Sequence, residues 1–490
     1  MRPHTLGLPG PSLWDLARGF RPIRSDPLGF LEQTHSRYGD LVAFPVPGAP
    51  TLLLSDPDAV RHVLQGNARN WSKATPQYSA LALVTGPGLL AVSDDSWLAR
   101  RRIAAPAFHH GRLDALGVSI AEVARQAVSS LADLAALTDQ QDLTDQQDLM
   151  DQQDLMDQQD LMDQQDLIGL PLGGQVVDVY AMSAQITLDV VGRALFDCRL
   201  ADVTDVPDVD DVADELIRAA DQAAELVVAQ SSSPWPSWMP TSVNGRLRGS
   251  VASLDQICRK LITDRRARGV SDRDTDLLGL LTAAGLPDDA IRDELVTMVV
   301  AGHETVASAL TWTLMLLAEH PDAQQRLRDE ARAAADWTPM QLRQRLPWTR
   351  AVVDESLRLF PPGWVVSRRA AQADSLGGQP VPHGTLVIIS PWLLHRNPRY
   401  WPDPSDFRPG RFLDEMSTQV RPADMPFGLG PRLCIGRDFA LVELTILLVE
   451  ILRDYVVTLP NGWKRPELNA FATLRPRGGL RLVVRPVAKV

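Results

Sequence analysis

Residues 427–436 read FGLGPRLCIG. They put Cys434 in a loop of glycine, proline and arginine, just ahead of an amphipathic segment that runs from Arg437 to residue 455. The free N–H groups at the start of a helix carry partial positive charge, so a sulfur placed there is biased toward its thiolate. Gly428, Gly430 and Gly436 allow a tight turn and a close approach of backbone to a flat ligand. Arg432 is placed to reach an acidic group on that ligand, and Phe427 to pack beside the sulfur and exclude water. A lone cysteine in a turn is otherwise a buried structural residue, and that reading is kept for Cys198 and Cys258, which have no such surroundings.

A sulfur held in this way suits axial ligation of haem iron, where a thiolate favours O–O cleavage. The pattern Phe427-x-x-Gly430-x-Arg432-x-Cys434-x-Gly436 resembles the signature loop of the cytochromes P-450. The resemblance implies a mainly α fold with small β-sheets: one large domain over 1–490, with haem b held between helices by Cys434. It further implies a monooxygenase that takes electrons from a separate ferredoxin and ferredoxin reductase and acts on a lipophilic small molecule.

Other stretches carry the same resemblance in order along the chain. The segment 287–320 opens with Pro287 and acids and closes at His320-Pro321, the marks of one long helix. Within it stands Ala301-Gly302-His303-Glu304-Thr305. A glycine in mid-helix costs about 1 kcal/mol relative to alanine, so Gly302 is expected to leave room above the cofactor, next to Ala301. Thr305 is expected to bond back to the Ala301 carbonyl. Beside it, the resemblance makes Glu304 the acid of an acid–alcohol pair that guides protons toward dioxygen. His303 is given no catalytic role.

Glu355 and Arg358, in DESLRLF, share a helix face. With Arg411 of FRPGRF (407–412) they match a structural salt-bridge network behind the haem, although Gly410 stands where the family often has an acid. Trp97 and Arg101, in SWLARRRIAAPAF, match the W-x-x-x-R helix that faces the haem propionates, as would Arg432. In VVSRRA, Arg368 is the fourth expected propionate contact, with adjacent Arg369 the rival. Arg100, Arg102 and Arg437 are candidates for the face where an acidic ferredoxin docks.

Composition limits the alternatives. The chain has 490 residues, 45% of them hydrophobic, which suffices for a large core. Three cysteines without a CxxC pair exclude a disulfide framework and a zinc ribbon, and fit a reducing compartment. No signal-like or membrane-spanning run stands out, so a cytoplasmic, monomeric protein is expected. The net charge of −12 is concentrated in residues 138–168, where DQQDL recurs five times; without the repeat the charge is about −2. No basic patch points to nucleic acid. Leucines six residues apart form no helix face, so the repeat is expected to be a disordered insertion, with an acidic docking tether as the alternative. Short strands are expected at 41–46, 51–54, 385–389 and 480–485.

The substrate is the finest expectation. The runs VAGHETVASALTW, LRLFPPGWVVSRRA, MPFGLGPRLCIGRDFAL and ATLRPRGGLRL resemble bacterial carotenoid β-ring hydroxylases. So does WSKATPQYSALALVTGPGLL (71–90), in a region that borders the substrate pocket in the family. The implied reaction is hydroxylation of a β-ring at C-3 or C-2. The alternatives are a fatty-acid or terpenoid hydroxylase of the same family, a peroxygenase, which typically lacks the acid–alcohol pair, and a haem carrier or sensor without turnover. The stretch SSSPWPSWMPTS (231–242) carries Trp235, Trp238 and Met239 and reads either as a loop touching a membrane or as a capping loop packed on the protein.

Overall fold

The computed structural model describes residues 6–487 except 17–24, 47–49, 93–95, 110, 130–173, 204–205, 207–210, 232–238, 270, 272–273, 335–337, 339–340, 343–344 and 414–422. The acidic repeat and the two tryptophans of the 231–242 stretch lie outside the described residues.

The helices that matter for the site are α1 (Pro76–Thr85), α2 (Ser96–Ala104), α3 (Val179–Phe196), α4 (Val212–Ser231), α5 (Ser242–Arg268), α6 (Asp288–Glu319), α7 (Pro321–Ala333), α8 (Pro347–Leu359) and α9 (Arg437–Asp454). At 32 residues, α6 is about 48 Å long. It starts after Pro287 with Asp288 and Asp289 in its first turn, where acids favour the positive end of the helix dipole, and it stops at the turn before Pro321. Its apolar side chains are buried nearly all round, as befits a helix through the middle of a large core. Helices α3, α4, α5, α8 and α9 all pack on it.

Among the described residues, four small sheets flank the helices. The strands are β1 (Leu41–Phe44), β2 (Thr51–Leu54), β3 (Trp71–Ser72), β4 (Gln175–Asp178), β5 (Val366–Ala370), β6 (Asp374–Leu376), β7 (Gln379–Val381), β8 (Leu386–Ile389), β9 (Tyr455–Thr458), β10 (Leu468–Ala470), β11 (Leu474–Pro476) and β12 (Arg481–Pro486). The largest sheet has the order β1-β2-β8-β5-β3, with β2 and β8 parallel and the other pairs antiparallel. The strands expected at 41–46, 51–54, 385–389 and 480–485 are present to within two residues at each end. The remaining strands are two to five residues long, too short to carry a legible alternation.

Two of these short elements position the site. In β5, Arg368 lies opposite Val387 and Arg369 opposite Leu386. Because successive strand residues point to opposite faces, only one of the two arginines can face inward. The β10–β11 hairpin lies against the middle of α6, fixed by Ser308 Oγ donating to the Leu474 carbonyl (2.5 Å) and Trp312 Nε1 donating to the same oxygen (2.9 Å).

Candidate active site

Between α6, α9, the cysteine loop and β5 lies a cavity of about 330 Å³. Its wall is mostly apolar, with Leu89, Leu90, Val191, Met298, Val366 and Leu444 among the lining residues. The charged side chains that line it, Lys73, Arg101, Arg368 and Arg432, are all cationic.

The cysteine loop folds as its glycines require. Gly428 and Gly430 have φ of 74° and 70°, the left-handed region that other residues avoid. A Cβ on Gly430 would sit 2.0 Å from the Leu64 carbonyl oxygen, so this glycine also lets the loop press on the turn His62–Gly66. The Cys434 N–H donates to the Phe427 carbonyl (3.0 Å), and Gly436 caps α9. Cys434 Sγ is enclosed by the fold but open to the cavity. The sequence predicts a thiolate here. By itself, however, the protein pushes the Cys434 thiol up, because burial outweighs the Gly436 N–H and the positive charges of Arg101, Lys73 and Arg437. A metal cation at the sulfur reverses that balance, since a coordinating thiol is deprotonated outright.

Trp97, Arg101, Arg368 and Arg432 all line the cavity. Arg432 lies over the Trp97 ring at 3.9 Å and Arg101 over the same ring at 5.6 Å. Arg101 donates to the Leu433 carbonyl (2.9 Å) and Arg432 to the Val92 carbonyl (2.8 Å). Strand register decides between the paired arginines: Arg368 is buried and bonded to Tyr78 Oη (3.2 Å), whereas Arg369 turns away to the Ala74 carbonyl. A further cation escapes sequence reasoning. Lys73 is 8% exposed, donates to the Leu90 carbonyl (2.9 Å) and lines the same cavity. Burial, with Arg368 and Arg432 close by, pushes its amine well below the usual lysine range. Only its place in WSKATPQYSA, inside the stretch that borders the pocket, could have flagged it.

Among the described residues, no carboxylate forms an ion pair with Lys73, Arg101 or Arg368. Buried cations without counter-ions are costly, so this cluster fits a ligand that brings its own negative charges. A flat dianionic macrocycle that carries a metal would meet the requirement: the cations would hold its carboxylates and the Cys434 sulfur its metal.

On α6, Thr305 Oγ1 donates to the Ala301 carbonyl (2.8 Å), and Ala301, Gly302 and Thr305 line the cavity. Gly302 has a second reason to be glycine: a Cβ there would meet Val191 Cγ2 at 3.3 Å, so it also lets α6 approach α3. His303 is buried on another face, its Nδ1 near the Val299 carbonyl (2.7 Å). Glu304 turns away from the cavity as well. It is 3% exposed, accepts from Thr473 Oγ1 (2.5 Å) and lies 3.8 Å from Arg475. Arg475 is held in turn by Asp221 (2.9 Å) and half-exposed Glu225 (2.6 Å), with Tyr180 Oη at 3.3 Å. Burial pushes the Glu304 carboxyl up to about 7 in spite of Arg475. Sequence reasoning missed Thr473 and Arg475 because the hairpin that brings them to α6 is made of three-residue strands.

Behind the cavity, Glu355 and Arg358 are both fully buried and joined at 2.7 Å, and Arg411 Nε reaches Glu355 Oε1 at 3.1 Å. Arg358 also donates to the carbonyls of His395, Pro404 and Asp406, and Glu355 accepts from the Arg408 N–H. Arg102 and Arg437 are at the surface, Arg437 paired with Asp438. Arg100 is not a surface cation: it is bonded at 2.7 Å to Glu294, a buried acid of α6.

Comparison with known proteins identifies the family. The chain is 29% identical over 458 residues to "Protein LUTEIN DEFICIENT 5, chloroplastic" of Arabidopsis thaliana, covering 88% of this chain and 70% of that one. It is 30% identical over 450 residues to "Cyclooctat-9-en-7-ol 5-monooxygenase" of Streptomyces melanosporofaciens, covering 89% and 85%. The crystal structure of CYP175A1 from Thermus thermophilus superposes with a TM-score of 0.72 at 28% identity, over 98% of this chain and 100% of that one. The family model described as Cytochrome P450 matches residues 9–151 and 160–483. A thiol loop at a helix start, a cationic cluster above it and a match over nearly the whole length agree: the chain belongs to the cytochrome P450 family and is a haem-dependent monooxygenase.

Proposed function

We propose that this monooxygenase hydroxylates the β-ring of a carotenoid, at C-3 or C-2. One observation carries the reading. The stretch 71–90, which resembles carotenoid β-ring hydroxylases, supplies Lys73, Tyr78, Leu89 and Leu90 to the cavity wall. The name of the Arabidopsis relative, which refers to lutein, is consistent with it. A wall of leucine, valine and methionine suits a hydrocarbon ring, and burying it there is favourable at about 25 cal/mol per Å².

We assign haem b as the cofactor, with Cys434 as its iron ligand and Lys73, Trp97, Arg101, Arg368 and Arg432 around its carboxylates. When bound, a thiolate-ligated haem supplies the O–O cleavage and C–H oxidation. In this reading the protein's own part is to bind, exclude water and manage protons. The apolar wall orients the ring, and Phe427 helps to shield the sulfur. Thr305 keeps a hydroxyl at the cavity wall, where Gly302 leaves space. Glu304, titrating near neutral pH, holds a proton on the far side of α6, in reach of Thr473 and linked to the surface through Arg475, Asp221 and Glu225. Electrons come from a separate ferredoxin and its reductase, and we take the enzyme to work as a cytoplasmic monomer. Among the described residues no helix is long and apolar enough to cross a membrane.

Co-expression with a ferredoxin system in cells that accumulate β-carotene tests the reading. The expected product is a carotenoid heavier by one or two oxygens, with NMR locating the carbon. Unchanged β-carotene beside correctly ligated haem and supplied electrons would refute it. The Streptomyces relative, by its name a monooxygenase of an alkenol, favours the second reading, a terpenoid hydroxylase.

A further inference from the structure

The residues 86–92 form a short loop between α1 and α2, and every side of it is held. Its inner side meets the cavity through Leu89 and Leu90. Its back lies on the early turns of α6. A Cβ on Gly86 would sit 2.1 Å from Asp293 Oδ1, and one on Gly88 would sit 2.2 Å from Thr297 Oγ1 and 2.7 Å from the Asp293 carbonyl oxygen. The glycines therefore let the loop lie flush against that helix. Just ahead of it, the Val84 carbonyl accepts from Arg292 (3.2 Å).

Two polar ties then connect this loop with α2. Glu294 is 1% exposed and uses both of its oxygens: Oε2 accepts from the Leu89 N–H (3.0 Å) and Oε1 from Arg100 of α2 (2.7 Å). At the other end of the loop, the Val92 carbonyl accepts from Arg432, whose guanidinium lies on Trp97 of α2. Helix α2 thus carries Arg100, tied to the loop through Glu294, and Trp97 and Arg101, which line the cavity. A buried carboxylate that bridges two elements fixes their relative position, because losing either partner leaves charge or an N–H unpaired in a dry site.

We propose that Glu294 is a positioning residue that couples the substrate-facing loop 86–92 to the cofactor-facing helix α2. A ligand that pushes on Leu89 works against a bond whose other end is Arg100. By linkage, whatever fixes Trp97 and Arg101 on α2 also favours the loop position that receives the ligand. The inference rests on the reading of the cavity as the substrate pocket.

Hydrogen exchange on the haem-loaded full chain, with and without β-carotene in detergent micelles, tests it. In E294Q the amide keeps one acceptor oxygen and cannot serve both Leu89 and a charged Arg100. Loss of a buried hydrogen bond corresponds to exchange at Leu89 faster by about tenfold without ligand. In the wild type β-carotene is expected to slow exchange at Leu89 and across 96–104 together, and in E294Q at Leu89 alone. R100Q keeps the Leu89 bond and is expected to retain slow exchange at Leu89 while losing the response across 96–104. Unchanged Leu89 exchange in E294Q would overturn the proposal, as would an acceleration spread evenly over the fold, the mark of lost stability only. A wild-type protein in which β-carotene slows nothing, with Leu89 still freed in E294Q, would refute the carotenoid reading and leave the tie between loop and helix standing.

Discussion

Replacing Glu304 with glutamine should remove a pH-dependent burden from the folded chain. The carboxyl is buried between α6 and the β10–β11 hairpin, and its folded pKa is about 7 against 4.5 for the ordinary side chain. Below pH 4.5 it is neutral in both folded and unfolded chains, and its burial exacts no charge penalty. Between 4.5 and about 7 the unfolded chain loses the proton while the folded chain keeps it, so stability falls as pH rises. Above 7 the full difference is present, at 1.36 kcal/mol per pKa unit about 3 kcal/mol. Glutamine keeps the volume and an oxygen for Thr473 and cannot ionise. Urea unfolding of wild type and Glu304→Gln at intervals from pH 4 to pH 8.5 is the assay. The two should converge near pH 4, and the variant should be the more stable by up to about 3 kcal/mol at pH 8, less whatever attraction to Arg475 is lost. Parallel curves across that range would refute the assignment of a raised pKa to this residue. They would also remove the main reason to treat Glu304 as a proton holder.

Lys73→Met should act in opposite directions on the two forms of the protein. Without cofactor it should gain about 1 kcal/mol, because a buried amine among arginines is gone at the cost of one bond to Leu90. With cofactor it should release haem faster, as followed by transfer to apomyoglobin. A destabilised apoprotein with unchanged haem release would contradict the reading of the cation cluster. Glu355→Ala should cost about 3–5 kcal/mol in urea unfolding, since it strands the fully buried Arg358; a loss under about 1 kcal/mol would show that the network is dispensable. Gly430→Ala combines a left-handed backbone with a clash against the Leu64 carbonyl and should cost about 3 kcal/mol, with wild-type stability as the refuting outcome. Cys434→Ala should abolish the red-shifted Soret band of the reduced carbon monoxide complex, and an unchanged band would exclude Cys434 as the iron ligand.

The parts of this site that were legible in the sequence are those in which chemistry and local geometry coincide. Cys434 stands beside the glycines that shape its loop and at the start of its own helix, so one short run of consecutive residues states both the proposed ligand and its setting. Thr305 and Ala301 are one helical turn apart, and so are Trp97 and Arg101. The choice of Arg368 over Arg369 rested on the resemblance and not on local geometry, because it depends on which way a five-residue strand faces, and that is set by its pairing with β8. Lys73 has no periodic neighbours and gains its meaning only when Arg101, Arg368 and Arg432 arrive from elsewhere. Glu294 and Arg475 were hidden for the same reason. Glu294 meets Arg100 across 194 residues of sequence, and Arg475 meets Glu225 across 250. Arg100 is the instructive failure. Its run of three arginines looks like a surface patch, yet one turn of the helix is enough to point it at an acid of the core.

The order in which the residues proposed to hold the cofactor leave the ribosome follows from their positions. Of these residues Lys73 and Arg101 are made first, Arg368 well after them, and Arg432 and Cys434 last. At ordinary rates of synthesis, roughly 20–70 s separate the first of these residues from the last. For most of that interval the nascent chain has neither the sulfur nor half of the cations proposed to retain a porphyrin. On the assignment proposed above, cofactor capture waits until residues 432–434 have emerged, and a cell short of porphyrin would accumulate chains that carry every one of these groups and hold no cofactor.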